Sequence, residues 1–297
     1  MMPPDVHEKY LHAGEIAKKV KESSRALLHE GVTYVDLARH IESSIVELGG
    51  TWAFPVNISV NNVTAHYTPT IDDTGVFHRG DYVKVDLGAQ VDGYIADTAY
   101  TVRVDSPDDD LVNASRDALM AAIDMVRPGV RTNELGRVID ETIRGYGLKP
   151  IENLTGHGLD QYVQHGPPSI PNFDTGHGAP LEEGAVIAIE PFATDGGGRV
   201  VDDERCLIFK YLGDRPVRLP LARQVLATIR REYPALPFAQ RWLSEVYTRR
   251  KTEFALKYLV RSSCVYAFNV LKEVDGGSVS QAEHSMIVTK DGAEVYT

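Results

Sequence analysis

Cysteine is nearly missing from this chain: Cys206 and Cys264 are the only two in 297 residues, far apart and outside any Cys-x-x-Cys pair. Neither a disulfide framework nor a thiolate metal site is available, and a reducing cytosol is the expected setting. Long apolar runs are missing as well. None approaches the roughly 20 residues that span a bilayer, and the first ten residues lack the apolar core of an export signal. Positive charge is in deficit, with 31 Lys and Arg against 42 Asp and Glu and a net charge of −11. That balance excludes a general affinity for DNA or other nucleic acid across the surface. There is no Gly-x-Gly-x-x-Gly. Gly196-Gly197-Gly198 is followed by no Lys-Ser/Thr, so the sequence offers no phosphate-cradling loop and this glycine run reads as a flexible connection.

What remains is a 43% hydrophobic chain in which helical and strand text alternate, the pattern of an α/β protein. Apolar residues at helical spacing (Leu11, Ile16, Val20, Leu27) predict a helix over 5–30, stopped by Gly31. Thr33 caps a second helix to residue 47. Strand text follows at 54–60. Residues 81–104 alternate like two strands of a hairpin, with Gly88 and Gly93 bracketing the turn. Pro107 and Pro128-Gly129 bound a third helix, and 132–144 reads as a fourth.

The chain also repeats itself. Gly31, Leu37, Arg39, Ile41 and Ile45 find Gly129, Leu135, Arg137, Ile139 and Ile143 at one constant offset. Farther on, residues 79–86 lie over 183–190, so that Asp86 matches Glu190. Ala96-Asp97 likewise matches Ala282-Glu283. The repeat predicts two similar halves packed about a pseudo-twofold axis, with an insertion of roughly ninety residues in the second hairpin. Four carboxylates then converge on the centre from largely apolar strands. Buried together they repel one another, and divalent cations that favour oxygen ligands are the physical means of offsetting that repulsion. Imidazole completes such sites. His157, between Gly156 and Gly158, is the candidate ligand, and His165, eight residues on in the same Gly-rich loop, is placed to face a substrate. His177 sits in a second Gly-His-Gly that nothing links to the acids.

Phe54-Pro55-Val56-Asn57, Ala65-His66-Tyr67, Val85-Asp86-Leu87-Gly88, Ala96-Asp97-Thr98-Ala99, Gly156-His157-Gly158, Ile189-Glu190-Pro191-Phe192 and Glu283-His284, in this order, resemble the type 2 methionine aminopeptidases in their short, archaeal-like form. The resemblance covers nearly the whole chain. It implies the pita-bread α/β fold across 1–297, with a small helical insertion subdomain over about 195–277. It implies two divalent cations per subunit (Co, Mn, Fe(II) or Zn), one on Asp86 and the other on His157 and Glu190, with Asp97 and Glu283 bridging both. Glu190 is also expected to carry the proton, and His66 and His165 to contact the substrate. The implied activity is removal of the N-terminal methionine of nascent polypeptides, with a small second residue preferred, by a cytoplasmic monomer.

Methionine selectivity needs an apolar slot with aromatic walls, for which Phe54, Phe192 and Phe268 are the candidates. Arg230-Arg231 and Arg249-Arg250-Lys251 in the insertion are basic clusters for which transient ribosome contact competes with a plain solvated helix face. Two rivals share the fold: a proline dipeptidase, which normally carries a separate N-terminal domain, and a non-catalytic protein- or RNA-binding homologue, which would have lost metal ligands.

Overall fold

The computed structural model describes residues 2–297. Two helices open the chain, α1 (Pro4–Arg25) and α2 (Tyr34–Glu47). The Thr33 hydroxyl accepts the Asp36 N–H at 3.0 Å and so starts α2 where the sequence expects it. Helix α1 stops five residues before the predicted end, and 26–30 form turns. Strands β1 (Thr51–Trp52), β2 (Asn57–Val60) and β3 (Val63–Ala65) precede the hairpin of β4 (Tyr82–Val91) and β5 (Tyr94–Arg103).

Then come α3 (Asp110–Met125), capped by the Asp109 carboxylate, and α4 (Thr132–Gly145). Strands β6 (Lys149–Pro150), β7 (Thr155–Asp160), β8 (Val163–Pro171), β9 (Val186–Ile189), β10 (Phe192–Thr194) and β11 (Val200–Tyr211) follow. Next are α5 (Pro220–Glu232), β12 (Phe238–Ala239), α6 (Gln240–Tyr247) and α7 (Arg249–Arg261). The chain ends with β13 (Val265–Glu273), β14 (Val279–Gln281), β15 (Glu283–Val288) and β16 (Ala293–Val295).

The repeat is visible in the packing. Leu37, Ile41 and Ile45, each one helical turn from the next, bury against Val83, Val85 and Leu87 in the first core. Their counterparts Leu135, Ile139 and Ile143 bury with Ile187 and Ile189 in a second core. The largest sheet runs β1-β4-β5-β15-β9-β7-β8, so the two hairpins meet at its middle where β5 pairs with β15. Helices cover one face of this sheet, and the opposite face carries the carboxylates.

Three local readings differ from the sequence expectation. Gly88 is not at the hairpin turn; that turn is Asp92-Gly93, both with positive φ, joining Val91 to Tyr94. Gly88 lies mid-strand, where a Cβ would strike the Phe54 ring. The Gly-rich run of 155–166 is not a loop but most of the β7–β8 hairpin, whose glycines admit neighbouring backbone: a Cβ at Gly156 would meet the carbonyl of Ala188, and one at Gly158 that of Pro167. The glycine run 196–198 is fixed, because the Glu273 carboxylate accepts the N–H groups of Gly197 and Gly198 together with those of Asp275 and Gly277. Desolvation alone would raise the pKa of Glu273, and these four bonds hold it below the ordinary value.

The segment 195–277 is not purely helical. Its helices α5, α6 and α7 pack on a sheet ordered β12-β11-β13-β3, whose last strand belongs to the first half. Strand β11 escapes sequence reading because Asp202, Asp203, Glu204 and Arg205 interrupt its alternation, and none of its residues between Val200 and Leu207 is buried.

Candidate metal centre

Register places the acids. Within the β4–β5 hairpin Asp86 lies opposite Ala99, and Gly88 lies opposite Asp97. Since side chains alternate along a strand, Asp86 and Asp97 share one face, diagonal to each other. Glu283 pairs with Ala99 from the other side, and Glu190 follows Ile189, the partner of His284. His157 pairs with Ala188, two residues before Glu190. All five predicted ligands thus project from the same face, while Val83, Val85 and Leu87 project into the helical core.

The donors of Asp97, His157 and Glu283 lie within 4.8 Å of one another. His157 Nε2 is 3.8 Å from Asp97 Oδ2 and 3.8 Å from Glu190 Oε1. Asp86 Oδ1 and Asp97 Oδ1 are enclosed with no hydrogen-bond partner. Burial pushes the Asp86 carboxyl up to about 7. It pushes Asp97, Glu190 and Glu283 well above the carboxylate range, with their acidic neighbours adding to the effect. Two amides work the other way: Gln281 lowers Asp86 and Glu190, and Gln164 lowers Asp97. Burial also lowers His157 to about 4, so its imidazole is neutral and has a lone pair to offer. Four crowded carboxyls, a neutral imidazole and two orphaned carboxylate oxygens form a donor set that fits divalent cations of mixed oxygen and nitrogen preference.

These groups form the floor of a cavity of about 370 Å³ that is also lined by His66, His165, Phe54, Phe192 and Phe268. The structure therefore brings all ten predicted site residues to one space. His66 has a left-handed backbone (φ 62°), and its Nδ1 is 3.1 Å from the Asn269 carbonyl. A carbonyl only accepts, so Nδ1 carries the hydrogen. Burial lowers the pKa of His66, the ring stays neutral, and Nε2 is left as an acceptor. The His165 ring stands edge-on to His157 at 4.6 Å. Desolvation in the cleft, then the neighbouring His157 and His66, push its pKa down, and its open side toward solvent moderates that effect.

Gln164, Ile208, Pro237 and Tyr266 also line the cavity and were not anticipated, nor was the contact of Gln281 Nε2 with Glu190 Oε2 at 3.5 Å. Gln281 sits two residues before Glu283, and the period-two rule could have found it. The other four carry no sequence signal. His177 is exposed and outside the cavity. In the basic clusters Arg230 pairs with Asp214, Arg231 with Glu232, and Arg249 with Asp72 and Glu253, which reduces the positive field they present.

Comparison with known proteins agrees with this geometry. Residues 8–214 match the model of metallopeptidase family M24. A methionine aminopeptidase of Thermococcus onnurineus is 50% identical over 294 residues, covering 99% of this chain and 100% of that protein. Among solved structures, a methionine aminopeptidase of Thermotoga maritima superposes with a TM-score of 0.73 at 26% identity, covering 100% of this chain and 98% of that one. A thermophilic Arx1 superposes with a TM-score of 0.87 at 20% identity, covering 100% and 91%, a likeness of fold alone. No helix among the described residues is long and apolar enough to cross a membrane. With its repeated halves, its pita-bread fold and its buried Asp/His/Glu cluster, the chain belongs to metallopeptidase family M24, in the group of the methionine aminopeptidases.

Proposed function

We propose that the chain hydrolyses the peptide bond after an N-terminal methionine, preferring a small second residue, as a cytoplasmic monomer in which the 195–277 segment is a subdomain of one catalytic unit. The observation that carries this reading is the convergence of Asp86, Asp97, His157, Glu190 and Glu283 on the floor of one cavity, with carboxylate oxygens that have no protein partner. Asp86 would hold one divalent cation, His157 and Glu190 a second, and Asp97 and Glu283 both; Mn, Fe(II), Co and Zn all suit these donors. Cations there supply Lewis acidity toward a carbonyl and bring the pKa of water toward neutrality.

The chain's own residues do the rest. Glu190 is the proton carrier; its side chain keeps 15% of its surface open, against 2% for Asp97 and Glu283, and of the two partly open acids, Asp86 and Glu190, it is the one next to His157. His66 Nε2 accepts from a substrate N–H, since Nδ1 is committed to Asn269. His165, on the wall beside His157, contacts the substrate carbonyl. Phe54, Phe192 and Phe268 enclose the thioether. The full ligand set argues against a non-catalytic homologue. Arg230, Arg231 and Arg249 are paired with acids, which leaves Arg250 and Lys251 of these clusters for a transient ribosome contact.

The test is turnover of Met-Ala-Ser against Ala-Pro with and without chelator. Chelator-sensitive release of methionine, with Ala-Pro untouched, supports the proposal; cleavage of Ala-Pro in preference refutes it.

A further inference from the structure

The left-handed backbone of His66 costs free energy for a residue with a Cβ and persists only where surrounding contacts enforce it. Much of that enforcement comes from the 195–277 segment. Asn269 O holds the His66 ring. Arg205 stacks on the ring of Tyr67 at 5.2 Å. Arg241, among the largest fully buried side chains in the molecule, donates Nε–H to the carbonyl of Pro69 at 3.1 Å. Its other two nitrogens donate to both oxygens of Glu42, at 2.8 and 2.7 Å. Glu42 is anchored in turn: Trp242 Nε1 donates to its carboxylate at 3.1 Å, and Trp52 Nε1 donates to its main-chain carbonyl at 2.8 Å. A planar fork bonded on every side has one geometry, whereas an ammonium would not. Arg241 belongs to helix α6 and does not line the cavity, whereas the metal-ligand candidates do.

We propose that Arg241, locked to Glu42, is a positioning residue that braces residues 66–69 and thereby holds His66 in the orientation the reaction uses. The insertion then acts on catalysis through this loop as well as through the residues it lends to the cavity wall. The inference rests on the aminopeptidase reading for its kinetic consequence, but not for its structural one.

The experiment compares wild type with Arg241→Met, which keeps the stem and removes the fork, Arg241→Lys, and the milder Glu42→Gln, at a temperature well below the melting point of each variant. Displacing a contacting group by about an ångström costs on the order of a hundredfold. The expected result for Arg241→Met is therefore a fall in kcat for Met-Ala-Ser of about ten- to a hundredfold, partly restored in Arg241→Lys, with Mn²⁺ affinity by calorimetry unchanged. The ¹⁵N shifts of the His66 ring should report an Nδ1–H tautomer in wild type and its loss in Arg241→Met. Wild-type kcat in a folded Arg241→Met, or Mn²⁺ affinity that falls in step with kcat, overturns the proposal. If Arg241→Met does not fold, Glu42→Gln decides on the same two readouts. Wild type without turnover refutes the aminopeptidase reading instead, and the His66 tautomer then tests the brace alone.

Discussion

Asp86→Asn should stabilise the metal-free protein, by an amount that depends on pH in a defined way. Burial raises the Asp86 carboxyl from 3.8 to about 7, so the folded state binds its proton more tightly than the unfolded state does. The sign follows from linkage: the penalty is absent below about pH 4, grows as pH rises toward 7, and is complete above it. A shift of about three pH units corresponds to at most about 4 kcal/mol at pH 8, and to about 1.5 kcal/mol at pH 5. The neutral amide removes that penalty. The histidines and lysines whose pKa values burial lowers titrate in both proteins and cancel in the difference.

The assay is urea unfolding of wild type and variant in chelator at pH 5 and pH 8, repeated with Mn²⁺. In chelator the variant should be the more stable protein, with a margin that widens from pH 5 to pH 8. With Mn²⁺ the margin should narrow. A ligand at a hundred times its Kd stabilises by about 2.7 kcal/mol, and the variant, lacking one donor, binds less. A variant no more stable than wild type in chelator at pH 8 would show that burial does not penalise the Asp86 carboxylate in the folded state, and the argument that this site needs a cation to offset its buried charge would fail.

Phe192→Ala should raise KM for Met-Ala-Ser by more than it lowers kcat, since Phe192 lines the cavity. It is 1% exposed and packs with Ile151, Val200 and Val279, so a stability loss of about 3–5 kcal/mol accompanies it. KM unchanged in the folded variant would remove Phe192 from the methionine slot. Gly88→Ala drives a methyl into the Phe54 ring, which should cost about 1–3 kcal/mol by chemical denaturation and raise KM as the wall is displaced. A neutral effect on both would show that the ring does not rest on this glycine.

How far the sequence carried the reading depended on whether a residue's environment is local. Helices α2 and α4 were legible because Thr33 caps the first and because Leu37/Ile41/Ile45 and Leu135/Ile139/Ile143 repeat every helical turn. The four acids were legible because the repeat pairs them, and His157 because the family motif Gly156-His157-Gly158 names it. Gly88 was misplaced because a mid-strand glycine and a turn glycine look alike until the Phe54 ring, thirty-four residues away, is seen against it. His157 is expected in a loop because a Gly-rich run lacks the alternation of a strand, whereas these glycines let a hairpin pack against neighbouring backbone. Tyr266, Ile208 and Pro237 reach the cavity only through the docking of the insertion. Arg241 was invisible for the same reason: its partner Glu42 is 199 residues away.

The seam that Arg241 and Glu42 close is also where the molecule's two indoles meet. Trp52 and Trp242 are the only tryptophans in the chain; their ring centroids are 4.5 Å apart, and both N–H groups end on Glu42. Intrinsic fluorescence of this protein is therefore not an average over its structure. It is a local signal from a single joint, and loosening of the insertion will change the emission while the twinned halves remain folded.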